Sequence, residues 1–163
     1  MKLTTTEEYG LRCLLQVARI APPGSDRLAC IRDVAEAEGL SADYVAKLLG
    51  RLKKAGLVAS TRGASGGYAL ARPAADISAA EALTAFDTKF YGEGFCTSHK
   101  GQLDCCIHKS HASCNLTSLW SAVSVALDEV LSRVTLSDLL ADSAPVIAAP
   151  AATPSVATGG THG

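Results

Sequence analysis

Near the start of the chain, apolar side chains recur at helical spacing: Leu11, Leu14, Leu15 and Ala18 form one stripe, the pattern of a helix with one face on a core. Thr4 stands three residues before Glu7, as in a capping box, and Glu8 adds a carboxylate at the positive end of the helix dipole. The pattern predicts a helix from Thr4 to Ala21, ended by Pro22-Pro23-Gly24. Between Leu28 and Arg72 two shorter stripes follow. Ile31, Val34 and Ala35 mark a helix that stops at Gly39, a residue suited to the left-handed position after a helix. Ser41 is placed to cap the next, whose Val45, Leu48, Leu49 and Leu52 point inward as far as Ala55-Gly56. Helix, short turn, helix is the helix-turn-helix pattern.

The period then changes. Leu57–Thr61 and Gly67–Ala71 read as two short strands joined by Arg62-Gly63-Ala64-Ser65-Gly66, a hairpin or wing. A short helical signal covers Ser78–Phe86. From Asn115 to Arg133 the apolar residues Leu116, Leu119, Trp120, Val123, Leu127, Val130 and Leu131 repeat near three and four, and Val134 follows, predicting a helix about 28 Å long. Such a helix needs a partner. After Ser143 the chain is Ala, Pro, Thr, Ser and Gly without periodicity, which predicts a disordered tail with no assigned function. The expected fold is mainly α, a winged helix-turn-helix domain with a small β-hairpin wing plus a long dimerisation helix.

Composition narrows the classes. With 163 residues, 48% hydrophobic and 19% charged, the chain can bury one core, and a large multidomain enzyme is excluded. No stretch approaches the roughly 18 apolar residues of a membrane span, and Met1-Lys2-Leu3-Thr4 leads to Glu7 and Glu8 instead of an apolar signal core. A cytoplasmic protein is expected, with no membrane partner. The net charge of -1 announces no nucleic acid, but the 29 residues from Tyr44 to Arg72 carry +6: Lys47, Arg51, Lys53, Lys54, Arg62 and Arg72, with no acidic residue. One such lysine is ordinary solvated surface. The set, following a helix-turn-helix and bracketing a hairpin, points to duplex DNA. Ser41, Asp43, Tyr44 and Lys47 would meet base edges or phosphates in the major groove, with Arg51 further along that face. Arg62 and Gly66 belong to the wing, where an extended cation fits the narrow minor groove. A phosphate-binding loop at Gly63–Gly67 is the weaker alternative, since it lacks the Gly-Lys-Ser/Thr ending and precedes a strand.

The second chemical signal is a loop. Four of the six cysteines and three of the four histidines lie between Cys96 and Cys114: Cys96, Cys105, Cys106, Cys114, His99, His108 and His111. Packing explains such a density poorly, whereas thiolates and imidazoles are the usual ligands of zinc and iron-sulfur clusters. Cys13 and Cys30, on predicted helices, read as small buried thiols. No glutamate stands beside a His/Cys ligand pair as in zinc hydrolases or deaminases, which argues against a small metalloenzyme.

These residues together resemble a family. The run KLLGRLKKAGLVASTRGASGGYALARPAADISAAEAL, the opening MKLTTTEEYGLRCL, the cysteine loop and the segment CNLTSLWSAVSVALDEVLSRVTLSDLL are similar to the iron-sulfur transcription regulators of the IscR and NsrR type. Only the tail lies outside the resemblance. It implies a homodimeric winged helix-turn-helix repressor whose loop holds a cluster, of two or four irons, that sets operator affinity in response to nitric oxide, redox state or cluster supply. It implies Cys96, Cys106 and Cys114 as ligands, Cys106 being preferred to its neighbour Cys105 because CIHKSHASC resembles the family's second-to-third cysteine segment. The spacing of these cysteines is wider than usual in the family. Thr117 stands where IscR-type members carry a histidine, which leaves the fourth ligand open. Glu8 matches the acidic residue that NsrR-type members donate from the other subunit; it reads equally as a helix-start carboxylate, with His108 as the alternate ligand.

The expected division is 1–90 for DNA, 91–114 for the cluster loop, 115–142 for the dimerisation helix and a short closing helix, and 143–163 for the tail. Leu119, Trp120, Val123 and Leu127 are the expected dimer contacts. The alternative is a zinc- or thiol-switched winged-helix regulator without a cluster. Neither reading includes a small-molecule substrate.

Overall fold

The structure is a computed structural model that describes residues 4–63, 65–86 and 115–141. Helix α1 covers Thr5–Ile20. Its start is the expected capping box: Thr4 Oγ1 accepts from the Glu7 amide at 3.3 Å, and the Thr4 amide donates to Glu7 Oε2 at 2.6 Å. Helix α2, Ile31–Glu38, ends at Gly39 with φ 65°, the left-handed conformation that glycine adopts without strain. Helix α3, Ala42–Lys54, begins at Ser41, whose Oγ accepts from the Tyr44 amide.

Strands β1, Val58–Thr61, and β2, Gly67–Leu70, form an antiparallel hairpin in the register Val58↔Leu70 to Thr61↔Gly67. Each is one residue shorter than the alternation predicts, and the Ala71 amide donates to Leu57 O at 3.0 Å in continuation of the same register. On its other edge β2 is bridged by Ala29, which exchanges both amide bonds with Tyr68. A 3-10 turn at Ala74–Asp76 leads to α4, Ala79–Thr84, with a second capping box between Ser78 and Glu81.

The long helix α5 is Asn115–Arg133, as predicted, and α6 is Leu136–Leu140, capped by Thr135 and Asp138. The α5–α6 junction is stitched to the rest: the Ala79 amide donates to Val134 O at 2.8 Å, and the Leu136 amide to Ile77 O at 2.7 Å. Leu136 is buried in the same core as Leu14, Val17, Val34, Leu48, Leu49 and Leu52. Each of these leucines contributes on the order of 2 kcal/mol of hydrophobic stabilisation on burial. One core therefore holds the helix-turn-helix and the closing helix together.

Candidate nucleic-acid interface and metal-ligand residues

The sequence places Val45, Leu48, Leu49 and Leu52 of α3 in the core, and its opposite side outward. Asp43, Lys47 and Lys54 are exposed on that outer side. Ser41 is exposed at the entry, with its oxygen already occupied by the Tyr44 amide. Tyr44, also expected at the DNA face, has contacts within the protein. It is half-buried on the flank of α3, its ring edge-on to Tyr9 at 6.3 Å and its hydroxyl donating to Thr6 Oγ1 at 3.5 Å, so it ties α3, the second or recognition helix of the helix-turn-helix pattern, to α1. Arg51 also lies on the flank, its guanidinium 5.2 Å from the centre of the Phe86 ring.

The wing carries Arg62 exposed at its tip. Gly63, with φ 125°, takes a conformation closed to other residues, and its carbonyl accepts from the Gly66 amide at 3.0 Å. A Cβ at Gly66 would collide with the Thr61 carbonyl oxygen, so the tip is tight. The charge of the 44–72 stretch is partly spent internally. Arg72 pairs with Glu81 at 2.6 Å, which holds the Glu81 carboxyl below its ordinary range. Lys53 donates to Ser60 Oγ at 2.6 Å, joining α3 to β1. Lys47, Lys54 and Arg62 remain as outward cations. The Ala29–Tyr68 bridge brings a fourth and fifth, exposed Arg27 and Arg32, onto the segment flanking the wing. Their distance in sequence from the basic run hid them; only the fold brings the two segments together.

Glu8 is exposed on the first turns of α1, its side chain 58% accessible, with Arg12 at 3.7 Å. The stronger partner of Arg12 is Glu38, at 2.7 Å, which also accepts from Gln16 at 2.7 Å. Glu8 is thus a lightly held carboxylate facing outward. The expected ligands Cys96, Cys105, Cys106, His108 and Cys114 lie outside the described residues, and within those no three Cys, His, Asp or Glu side chains converge. Cys13 is buried as expected, and burial pushes its thiol up to about 12. Cys30 is not simply a packed thiol: it caps α2, its Sγ accepting from the Asp33 amide at 3.4 Å. On α5, Leu119 is 52% exposed and Trp120, Val123 and Leu127 are half-buried. No helix among the described residues is long and apolar enough to cross a membrane.

A three-helix core, a glycine-stopped α2, an outward basic face on α3 and a cation-tipped hairpin define a winged helix-turn-helix protein. The chain belongs to the Rrf2 family of transcriptional regulators: the family model, described as "Iron-dependent Transcriptional regulator", matches residues 3–142. Protein rrf2 of Nitratidesulfovibrio vulgaris is 36% identical over 143 residues, covering 88% of this chain and 89% of that protein. The regulator IscR of Photobacterium profundum is 34% identical over 148 residues, covering 88% and 77%. Among solved structures, IscR of T. potens matches with a TM-score of 0.62 at 31% identity over 86% of each chain. CymR (YrzC), the global cysteine regulator of B. subtilis, matches with a TM-score of 0.62 at 28% identity, covering 86% of this chain and 96% of that one. These relatives are regulators of transcription, not enzymes.

Proposed function

We propose that the protein is a cytoplasmic, homodimeric repressor whose grip on a two-half-site DNA operator is set by an iron-sulfur cluster. In this reading residues 1–90 read DNA, 91–114 hold the cluster and 115–142 pair the subunits through Leu119, Trp120, Val123 and Leu127. Ser41, Asp43 and Lys47 face the major groove and Arg62, on the turn closed by Gly66, enters the minor groove. The observation that carries the DNA reading is the outward side of α3 with Lys47 and Lys54 beside a wing tipped by Arg62.

Cys96, Cys106 and Cys114 would hold the cluster with Glu8 of the partner subunit as the fourth donor. The exposure of Glu8 and its long contact to Arg12 fit a carboxylate able to turn outward. A carboxylate is a harder, weaker ligand for iron than a thiolate, so that position is open to displacement by a signal. When bound, the cluster supplies a reactive iron-sulfide centre. The chain's own part is to place Glu8 on α1, the helix that Tyr9 and Thr6 also tie to the recognition helix.

Anaerobic purification followed by iron, sulfide and visible-absorption measurements tests this. The expected result is a brown protein containing both elements, colourless after Cys96→Ala, Cys106→Ala or Cys114→Ala and still brown after Cys105→Ala. Glu8→Ala should keep a cluster with a changed spectrum; a silent spectrum would move the fourth ligand to His108. A colourless wild-type protein holding zinc or no metal overturns the reading. It would favour the zinc- or thiol-switched alternative.

A further inference from the structure

The ring of Phe86 is a meeting point of three helices. It is 6% exposed, in the common core, and it closes α4, its amide donating to Leu83 O at 2.9 Å. It lies so close to Gly10 of α1 that a Cβ there would run into the ring atoms. The guanidinium of Arg51, in the last turns of α3, stands 5.2 Å from its centre. At that distance a planar cation is attracted by the ring's electron-rich face, and arginine suits the contact because its plane can lie along the ring. The first turn of α3 has its own tie to α1, through Tyr44 to Tyr9 and Thr6. The recognition helix is therefore held at both ends on its flank, while the outward side stays clear.

We propose that Arg51 is a positioning residue: stacked on Phe86, it fixes the rotation of the recognition helix against α1 and α4 and does not itself hold a DNA phosphate. The proposal rests on the DNA-binding reading above. It gives a residue of the basic run a task that its charge alone does not show. Phe86 also directly precedes residues 87–114 in the chain, so the ring over which Arg51 lies is next in sequence to the cysteine-bearing segment. Displacing the ring would turn the helix that presents Lys47.

The test uses the full-length protein and duplexes selected by it from a random-sequence pool, with affinity measured by fluorescence anisotropy at several salt concentrations. Arg51→Gln and Phe86→Leu should each weaken binding about threefold to tenfold, the scale of a lost cation–ring contact. The double variant should be no weaker than the poorer single variant. The slope of log affinity against log salt should match the wild type, whereas loss of a phosphate contact would lower it by about one. Arg51→Lys should share most of the loss, because a lysine cannot stack in the same plane. The inference is overturned if the slope falls, if the two losses multiply, if Arg51→Lys binds like the wild type, or if Arg51→Gln has no effect. Circular dichroism checks folding; should Phe86→Leu fail to fold, the slope of Arg51→Gln and the Gln/Lys comparison decide alone. A wild-type protein that selects no sequence would overturn the DNA reading itself, a separate outcome.

Discussion

Cys13 and Glu8 share helix α1 and meet opposite conditions. Cys13 is fully buried, and desolvation of its thiolate raises the thiol from its ordinary value near 9 to about 12. At neutral pH it is a protonated packing group, neither ligand nor nucleophile. We expect iodoacetamide at pH 8 to leave Cys13 unmodified in the folded protein and to label it once denaturant is added, read by peptide mass spectrometry. The same shift has a sign in stability. Between about pH 9 and 12 the folded state keeps a proton that the unfolded chain has lost, so this contribution is whole below 9 and is lost as pH rises through that window. Glu8 is the reverse case, exposed and lightly held. The sequence alone could read it only as a helix-start carboxylate; the resemblance gave it a second role, and its outward position is what makes that role chemically open. Tyr44 is the residue least legible in the sequence, because a tyrosine on the first turn of α3 suits DNA or α1 equally well, and its contacts to Thr6 and Tyr9 come only with the fold.

At the scale of elements, local grammar carried most of the fold. Thr4, Ser41 and Ser78 start helices by side-chain caps, Gly39 stops one, and the apolar stripes name the buried faces. What periodicity could not supply was pairing across the chain: Ala29 against Tyr68, Arg72 against Glu81, and Phe86 against Gly10. The last of these can be tested directly. In α1, Gly10→Ala would gain roughly 1 kcal/mol of helix propensity, but it forces a methyl into the buried Phe86 ring. Overpacking costs about 1–3 kcal/mol, so chemical denaturation should show a net loss of stability, on the order of 1 kcal/mol. A variant as stable as the wild type would mean that α1 and α4 do not meet as described.

For the whole molecule, the net charge of -1 conceals a division of labour. Cations inside the 44–72 run are used partly to build the fold, at Lys53 and Arg72, and partly left outward at Lys47, Lys54 and Arg62. Paired subunits would present two such faces, and half-sites about 34 Å apart would engage both. A cluster joining one subunit's cysteines to Glu8 of the partner subunit would make that spacing depend on cluster occupancy, so operator affinity becomes the readout of the signal. The sequence shows side chains of ligand type between Cys96 and Cys114, but local patterns do not specify which of them would come together. The measurement that reaches the central claim most directly is duplex affinity before and after cluster removal, on one preparation and one selected duplex, across a salt series. The account predicts a steep fall with salt in the loaded protein and a loss of about tenfold or more when the cluster is stripped. Equal affinity of the loaded and stripped protein would contradict it.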